Sequence, residues 1–244
     1  MRQTTRLMRG LAGLAGFCLA GLGEAGAAER APSLQDMVRA VERAPMEKGS
    51  SAVGSGFFIS PNHVLTSAHV LVGCRNFAVT NGRIGTMNAR LEASEPRRDS
   101  AVLIVEGAAS RHLVLGRAPA PRPGDGMTIV GFPVDRVGGR RPVTYAATFH
   151  GATLDEAGIP VLELDADIVA GASGAPVFDK ERRLAGIVVG RLDRPPRDVV
   201  ALSHTGLSDR MRRFFAQPPT GAPDLGTALQ ASSPEDAVVK IRCQ

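Results

Sequence analysis

Residues 171–176 read Gly-Ala-Ser-Gly-Ala-Pro and run directly into the strand-like pair Val177-Phe178. Glycines on both sides of Ser173 let the backbone turn sharply and leave the hydroxyl exposed. The amides of Gly171 and Ser173 can then point the same way and receive a negatively charged oxygen. Each donor of such a pair is typically worth roughly 2.7–4 kcal/mol of transition-state stabilisation. A serine alcohol is a poor nucleophile, so the turn needs a histidine base and a carboxylate that orients it. Both stand upstream. Val64-Leu65-Thr66-Ser67-Ala68-His69-Val70 is a β-type apolar run carrying a histidine, and Asp99-Ser100 leads into the apolar residues 101–105. The order is His69, Asp99, Ser173, at spacings of 30 and 74 residues. Gly-x-Ser-Gly alone is also an ordinary loop; the three stretches together carry the inference.

Thr-Ser-Ala-His-Val, Asp-Ser-Ala-Val-Leu and Gly-Ala-Ser-Gly-Ala-Pro-Val resemble the histidine, aspartate and serine boxes of the trypsin-like, chymotrypsin-fold serine peptidases. The spacings resemble the compact bacterial HtrA-type branch, and the resemblance covers roughly residues 50–215. It implies an all-β fold of two six-stranded antiparallel barrels, with His69 and Asp99 from one, Ser173 from the other, and the site in the cleft between them. It also implies acyl-enzyme hydrolysis of polypeptides by a His69-Asp99-Ser173 triad with a Gly171/Ser173 backbone oxyanion hole. No cofactor is needed. The chain's 28 glycines and 17 prolines supply turns for many short strands.

Residues 1–28 have the form of a secretory signal peptide. Arg2, Arg6 and Arg9 precede an apolar stretch at 11–22, and small residues at 25–28 suit a signal peptidase. The apolar run is short of the about 20 residues that span a bilayer. The expectation is an exported protein, periplasmic or secreted, with no integral membrane segment after leader removal. Losing the leader removes three arginines and one glutamate, so the formal charge falls from +5 to +3. The remaining arginines are scattered, without a basic stripe and interleaved aromatics, so nucleic-acid binding finds no support. Cys74 and Cys243 remain after the leader takes Cys18. An even count in an exported chain favours a disulfide tying the C-terminal residues to the loop after His69, with two free thiols as the alternative. No histidine or cysteine pair has metal-ligand spacing, and no metal is expected.

Along the chain, a capped amphipathic helix is expected from Ser33 to about Pro45, inside a segment 29–49. Residues 50–117 would form the first barrel: a strand at 50–60, its hairpin partner at 63–69, and a second hairpin about Asn81-Gly82. In the same plan 101–105 closes that barrel, and a proline-rich stretch at 118–126 links the two. The second barrel takes 118–216, with strands near 127–131, 143–149, 160–164, 183–190 and 199–202, and a helix at 205–215 ends it. Residues 217–244 read as a tail with one strand-like run at 237–243, too short for the PDZ domain usual in HtrA proteins.

The chain departs from the trypsin-like pattern in two places. Ala172 stands where zymogens carry an aspartate that pairs with a newly cut N-terminus, and Ala175 replaces a glycine. Activation by such a cut is therefore not expected. For specificity, Asp167 and Ile168 occupy the positions that shape the substrate pocket in trypsin-like and HtrA enzymes respectively. Asp167 would favour Arg or Lys, with a plain loop carboxylate as its bland alternative; Ile168 would favour small apolar side chains, the choice the spacings support. His63, His112, His150 and His204 read as solvent-facing or hydrogen-bonded. Two rival functions remain. An α/β-hydrolase esterase would need Gly-x-Ser-x-Gly and the order Ser, Asp, His; Asp193 and His204 follow Ser173, but Ala175 breaks the motif. A catalytically silent binding or scaffold protein of the same fold is the stronger rival, because residue types alone do not form an oxyanion hole.

Overall fold

The structure is a computed structural model that describes residues 53–116, 120–134, 139–192, 198–216 and 234–243. The expected leader at 1–28, the expected helix at 33–45 and residues 217–233 lie outside the described residues. Twelve strands are arranged in two closed antiparallel barrels. They are β1 (Val53–Phe58), β2 (His63–Thr66), β3 (Phe77–Asn81), β4 (Gly85–Glu95), β5 (Ser100–Val105), β6 (Gly126–Gly131), β7 (Val143–Leu154), β8 (Pro160–Asp165), β9 (Pro176–Phe178), β10 (Leu184–Arg191), β11 (Val199–Ser203) and β12 (Val238–Cys243). Around the first barrel the order is β1-β12-β3-β4-β5-β2, and around the second β10-β11-β8-β7-β6-β9.

The first barrel is not residues 50–117 alone: β5 closes it between β4 and β2, but the gap between β1 and β3 needs another strand. Its sixth strand is β12, from the stretch read as a tail. Ser55 lies opposite Lys240 on one side of β12, and Val79 opposite Ile241 on the other. Without β12, β1 and β3 would each expose a row of unpaired N–H and C=O groups, which a barrel exists to remove. Cys74 and Cys243 are disulfide-bonded, with Cα atoms 5.4 Å apart, pinning the end of β12 to the loop after His69.

Local chemistry adjusts three other expectations. The Asn81-Gly82 hairpin exists, but its turn runs through 82–84 rather than two residues, because the Asn81 Oδ1 accepts the N–H groups of both Arg83 and Ile84. The Asn81 amide meanwhile donates to the carbonyls of Asp236 and Val238, holding β12 in register. The strand leading to His69 stops at Thr66; His69 itself lies in a short 3-10 helix, Ala68–Leu71. The closing helix is reduced to a 3-10 turn, His204–Gly206, and the four-residue helix α1 (Asp209–Arg212), capped by the Ser208 hydroxyl on the Met211 N–H.

Phenylalanine carries much of the core in a chain with no tryptophan and one tyrosine. Phe58, Val64, Val79, Leu103 and Ile241 fill the first barrel. Ile129, Phe149, Leu164 and Val188 fill the second. Phe57, Phe132, Phe178 and Val238 belong to a third cluster that joins the two. Each such side chain contributes about 1.5–3 kcal/mol when fully buried, so the inter-barrel layer is a structural seam as firm as either interior.

Candidate active site

The serine turn sits on that seam. From the first barrel, the Ser55 N–H donates to the Ser173 carbonyl (2.8 Å) and the Ser67 hydroxyl to the Val188 carbonyl (2.9 Å). From the second, Val188 on β10 accepts the Gly174 N–H at 2.8 Å and donates its own to Ala175 at 2.9 Å. Gly174 is pressed onto the first barrel at positive φ (80°): a Cβ there would lie 2.2 Å from the Ser55 carbonyl oxygen and 2.4 Å from the Thr66 Oγ1. The turn therefore abuts the Thr66-Ser67 segment that leads into His69.

His69 and Asp99 meet directly. Asp99, fully buried and in the left-handed backbone region (φ 45°), caps the 3-10 turn Pro96–Arg98 at the start of β5. Its Oδ1 accepts the His69 backbone N–H at 2.9 Å, and its Oδ2 lies 2.8 Å from His69 Nδ1. An ionised carboxylate can only accept, so Nδ1 is the donor, and it is the neutral form of the ring that has its lone pair on Nε2. That Nε2 is buried and has no hydrogen-bond partner among the described residues. Ser173 does not supply one in this state: its hydroxyl donates to the Val189 carbonyl at 3.3 Å, a long and weak bond.

The backbone of the turn is held from behind. The Ala170 carbonyl accepts the Val134 N–H at 2.8 Å. In a trans peptide the N–H lies opposite the C=O, so the Gly171 N–H faces away from Val134. Among the described residues, neither the Gly171 nor the Ser173 N–H has an acceptor. Gly171 itself has φ of 96°, and a Cβ would lie 2.4 Å from the Phe132 carbonyl oxygen. Ala172 is buried in the second barrel's core, where the zymogen aspartate would be a charge among apolar side chains.

Beside Ser173 opens a cavity of about 300 Å³ walled by Ile168, Val169, Ala170, Ala172, Gly190 and Arg191. The structure separates the two specificity candidates: Ile168 is buried and lines the cavity, whereas the Asp167 side chain is 99 % exposed and 3.7 Å from Arg191. Asp167 is not among the residues that line this cavity. Sequence reasoning missed Arg191, which pairs with the buried Asp198 at 2.9 Å; no motif marks it. A larger cavity of about 430 Å³, lined by Arg83, Arg140, Arg141, Glu235 and Asp236, contains no nucleophile.

His63 lies 2.7 Å from the Ser60 hydroxyl and His204 3.0 Å from the Ala185 carbonyl, both away from the turn, and burial pushes each imidazole below its ordinary value. Among the described residues, no three His, Cys, Asp or Glu side chains cluster as a metal site, and no helix is long and apolar enough to cross a membrane.

Comparison with known proteins bears on the same geometry. The sequence profile described as a trypsin-like peptidase domain matches residues 54–187. The chain is 30% identical over 148 residues to a probable periplasmic serine endoprotease, DegP-like, of Pseudomonas putida, covering 59% of this chain and 30% of that one. It is 29% identical over 177 residues to the serine protease Rv3671c of Mycobacterium tuberculosis, covering 69% and 43%. The chain thus spans less than half the length of either relative. The active-form crystal structure of the Rv3671c protease superposes with a TM-score of 0.58 at 26% identity, covering 69% of this chain and 76% of that one. The HtrA-type protease AlgW with a decapeptide shares the fold, with a TM-score of 0.54 at 24% identity, covering 62% and 48%.

Proposed function

This chain belongs to the trypsin-like peptidase domain family, and on that premise we propose that it is an exported serine endopeptidase acting through His69, Asp99 and Ser173. The observation that carries this is the buried Asp99–His69 pair, which holds Nδ1 and leaves Nε2 without a hydrogen-bond partner among the described residues. Catalysis begins when the Ser173 hydroxyl turns from the Val189 carbonyl to His69 Nε2. As Oγ attacks the substrate carbonyl carbon, its proton passes to Nε2, and Asp99 stabilises the imidazolium. The N–H groups of Gly171 and Ser173 hold the oxyanion. The C–N bond then breaks, the leaving amine takes the proton from Nε2, and water releases the acyl group by the same route. Residue types in the leader and the periplasmic assignment of the Pseudomonas putida relative support export.

The walls of the adjoining cavity favour a small aliphatic residue before the scissile bond. A fluorogenic peptide library tests both parts. The wild type cleaves after Val or Ala, Ser173→Ala and His69→Gln lose at least about 10⁴-fold in kcat, and Asp167→Asn keeps the preference. Cleavage after Arg or Lys that Asp167→Asn abolishes would overturn the pocket assignment. The silent scaffold draws on one observation, the Ser173 hydroxyl resting on Val189 rather than His69; a wild type with no cleavage would favour it.

A further inference from the structure

In the trypsin-like pattern an aspartate beside the nucleophile anchors the serine turn, and here Ala172 cannot. Something else must fix the peptides that carry the oxyanion donors. Ser55, in the middle of β1 and fully buried, bonds the turn twice and the Phe132 backbone once. Its Oγ donates to the Gly171 carbonyl at 2.7 Å and accepts the Phe132 N–H at 2.8 Å, while its backbone N–H donates to the Ser173 carbonyl at 2.8 Å. The Ser55 carbonyl is tied in turn by the Thr66 hydroxyl at 2.7 Å.

From this geometry we infer that the Ser55 hydroxyl is a positioning residue for the oxyanion hole. One hydroxyl clamps the carbonyl of the Gly171–Ala172 peptide and, through Phe132, the loop whose Val134 N–H orients the Ala170–Gly171 peptide. Both faces of Gly171 are thereby fixed from a residue 116 positions away. Lys240, opposite Ser55 on β12, lays its ammonium 5.7 Å from the Phe132 ring centroid, and burial pushes that ammonium below its ordinary value. Ser55, Phe132 and Lys240 are all buried, so a lost hydroxyl leaves the Phe132 N–H and the Gly171 carbonyl unsatisfied.

The inference rests on the protease reading, and the experiment separates the two. Wild type, Ser55→Ala and Ser55→Cys are compared for kcat and KM on one peptide, for the pH–rate profile, and for the rate of labelling by a fluorophosphonate. The expected result is a fall in kcat and in labelling of about 10- to 100-fold for Ser55→Ala, the range for misplaced oxyanion donors. KM stays within about twofold and the pH midpoint does not move, since His69 and Asp99 are untouched. Ser55→Cys, near in size with weak donor and acceptor sulfur, falls between and serves should the alanine variant not fold. Variants that fold and retain wild-type kcat overturn the inference, as does a change confined to KM or to melting temperature. A wild type that neither cleaves nor labels overturns the protease reading and this inference with it.

Discussion

Gly174 shows how one missing Cβ controls the site. Its φ of 80° matches the 75° of Gly158, so alanine suffers the same backbone strain at either position. Only the surroundings differ: nothing lies within 4 Å of a Cβ at Gly158, whereas at Gly174 two first-barrel oxygens already occupy the space. Gly158→Ala should cost about 1–2 kcal/mol, the left-handed strain alone. Gly174→Ala should cost about 3–5 kcal/mol, because overpacking against backbone adds to it. Urea unfolding measures both, and equal losses would contradict the packing described. At this scale the sequence was most legible where chemistry demands a residue type: the His69–Asp99 pair and the glycines about Ser173 could be named from order and spacing. Ser55 could not, since a serine in an apolar strand carries no signature until its partners 77 and 116 residues away are known. Asp167 and Ile168 are neighbours in sequence, and only strand-end geometry decides which faces the cavity.

The elements behave likewise. Strands bounded by turn residues were legible in both barrels, as was the strand-like character of 237–243. Its place was not. Pairing with β1 and β3 joins segments some 160–190 residues apart, and local pattern holds no information about that. The helix expected over 205–215 is shorter because Leu207 and Ser208 are extended and the Ser208 hydroxyl caps the Met211 N–H, so the helix begins only at Asp209. The disulfide at the end of β12 closes a loop with a sequence separation of 169 residues. In the chain-entropy model such a crosslink stabilises by up to about 5 kcal/mol. A Cys74→Ala/Cys243→Ala double variant should therefore lose about 2–5 kcal/mol in non-reducing urea melts, and a reductant should destabilise the wild type but not the variant. An unchanged midpoint would mean that β12 is held by its barrel pairings and core side chains alone.

In the whole molecule, the two barrels meet through a layer of phenylalanines, and each supplies what the other lacks. The first carries His69, Asp99 and Ser55; the second carries Ser173, the backbone N–H groups of Gly171 and Ser173, and the cavity. The central claim is that this seam assembles a working nucleophile although Ser173 rests on Val189. Its most direct test is intact-protein mass spectrometry after incubation with a fluorophosphonate at neutral pH without reductant, beside a Ser173→Ala control. The account predicts a single adduct that maps to Ser173 and is absent from the control. An unmodified wild type, or an adduct that persists in the control, would contradict it.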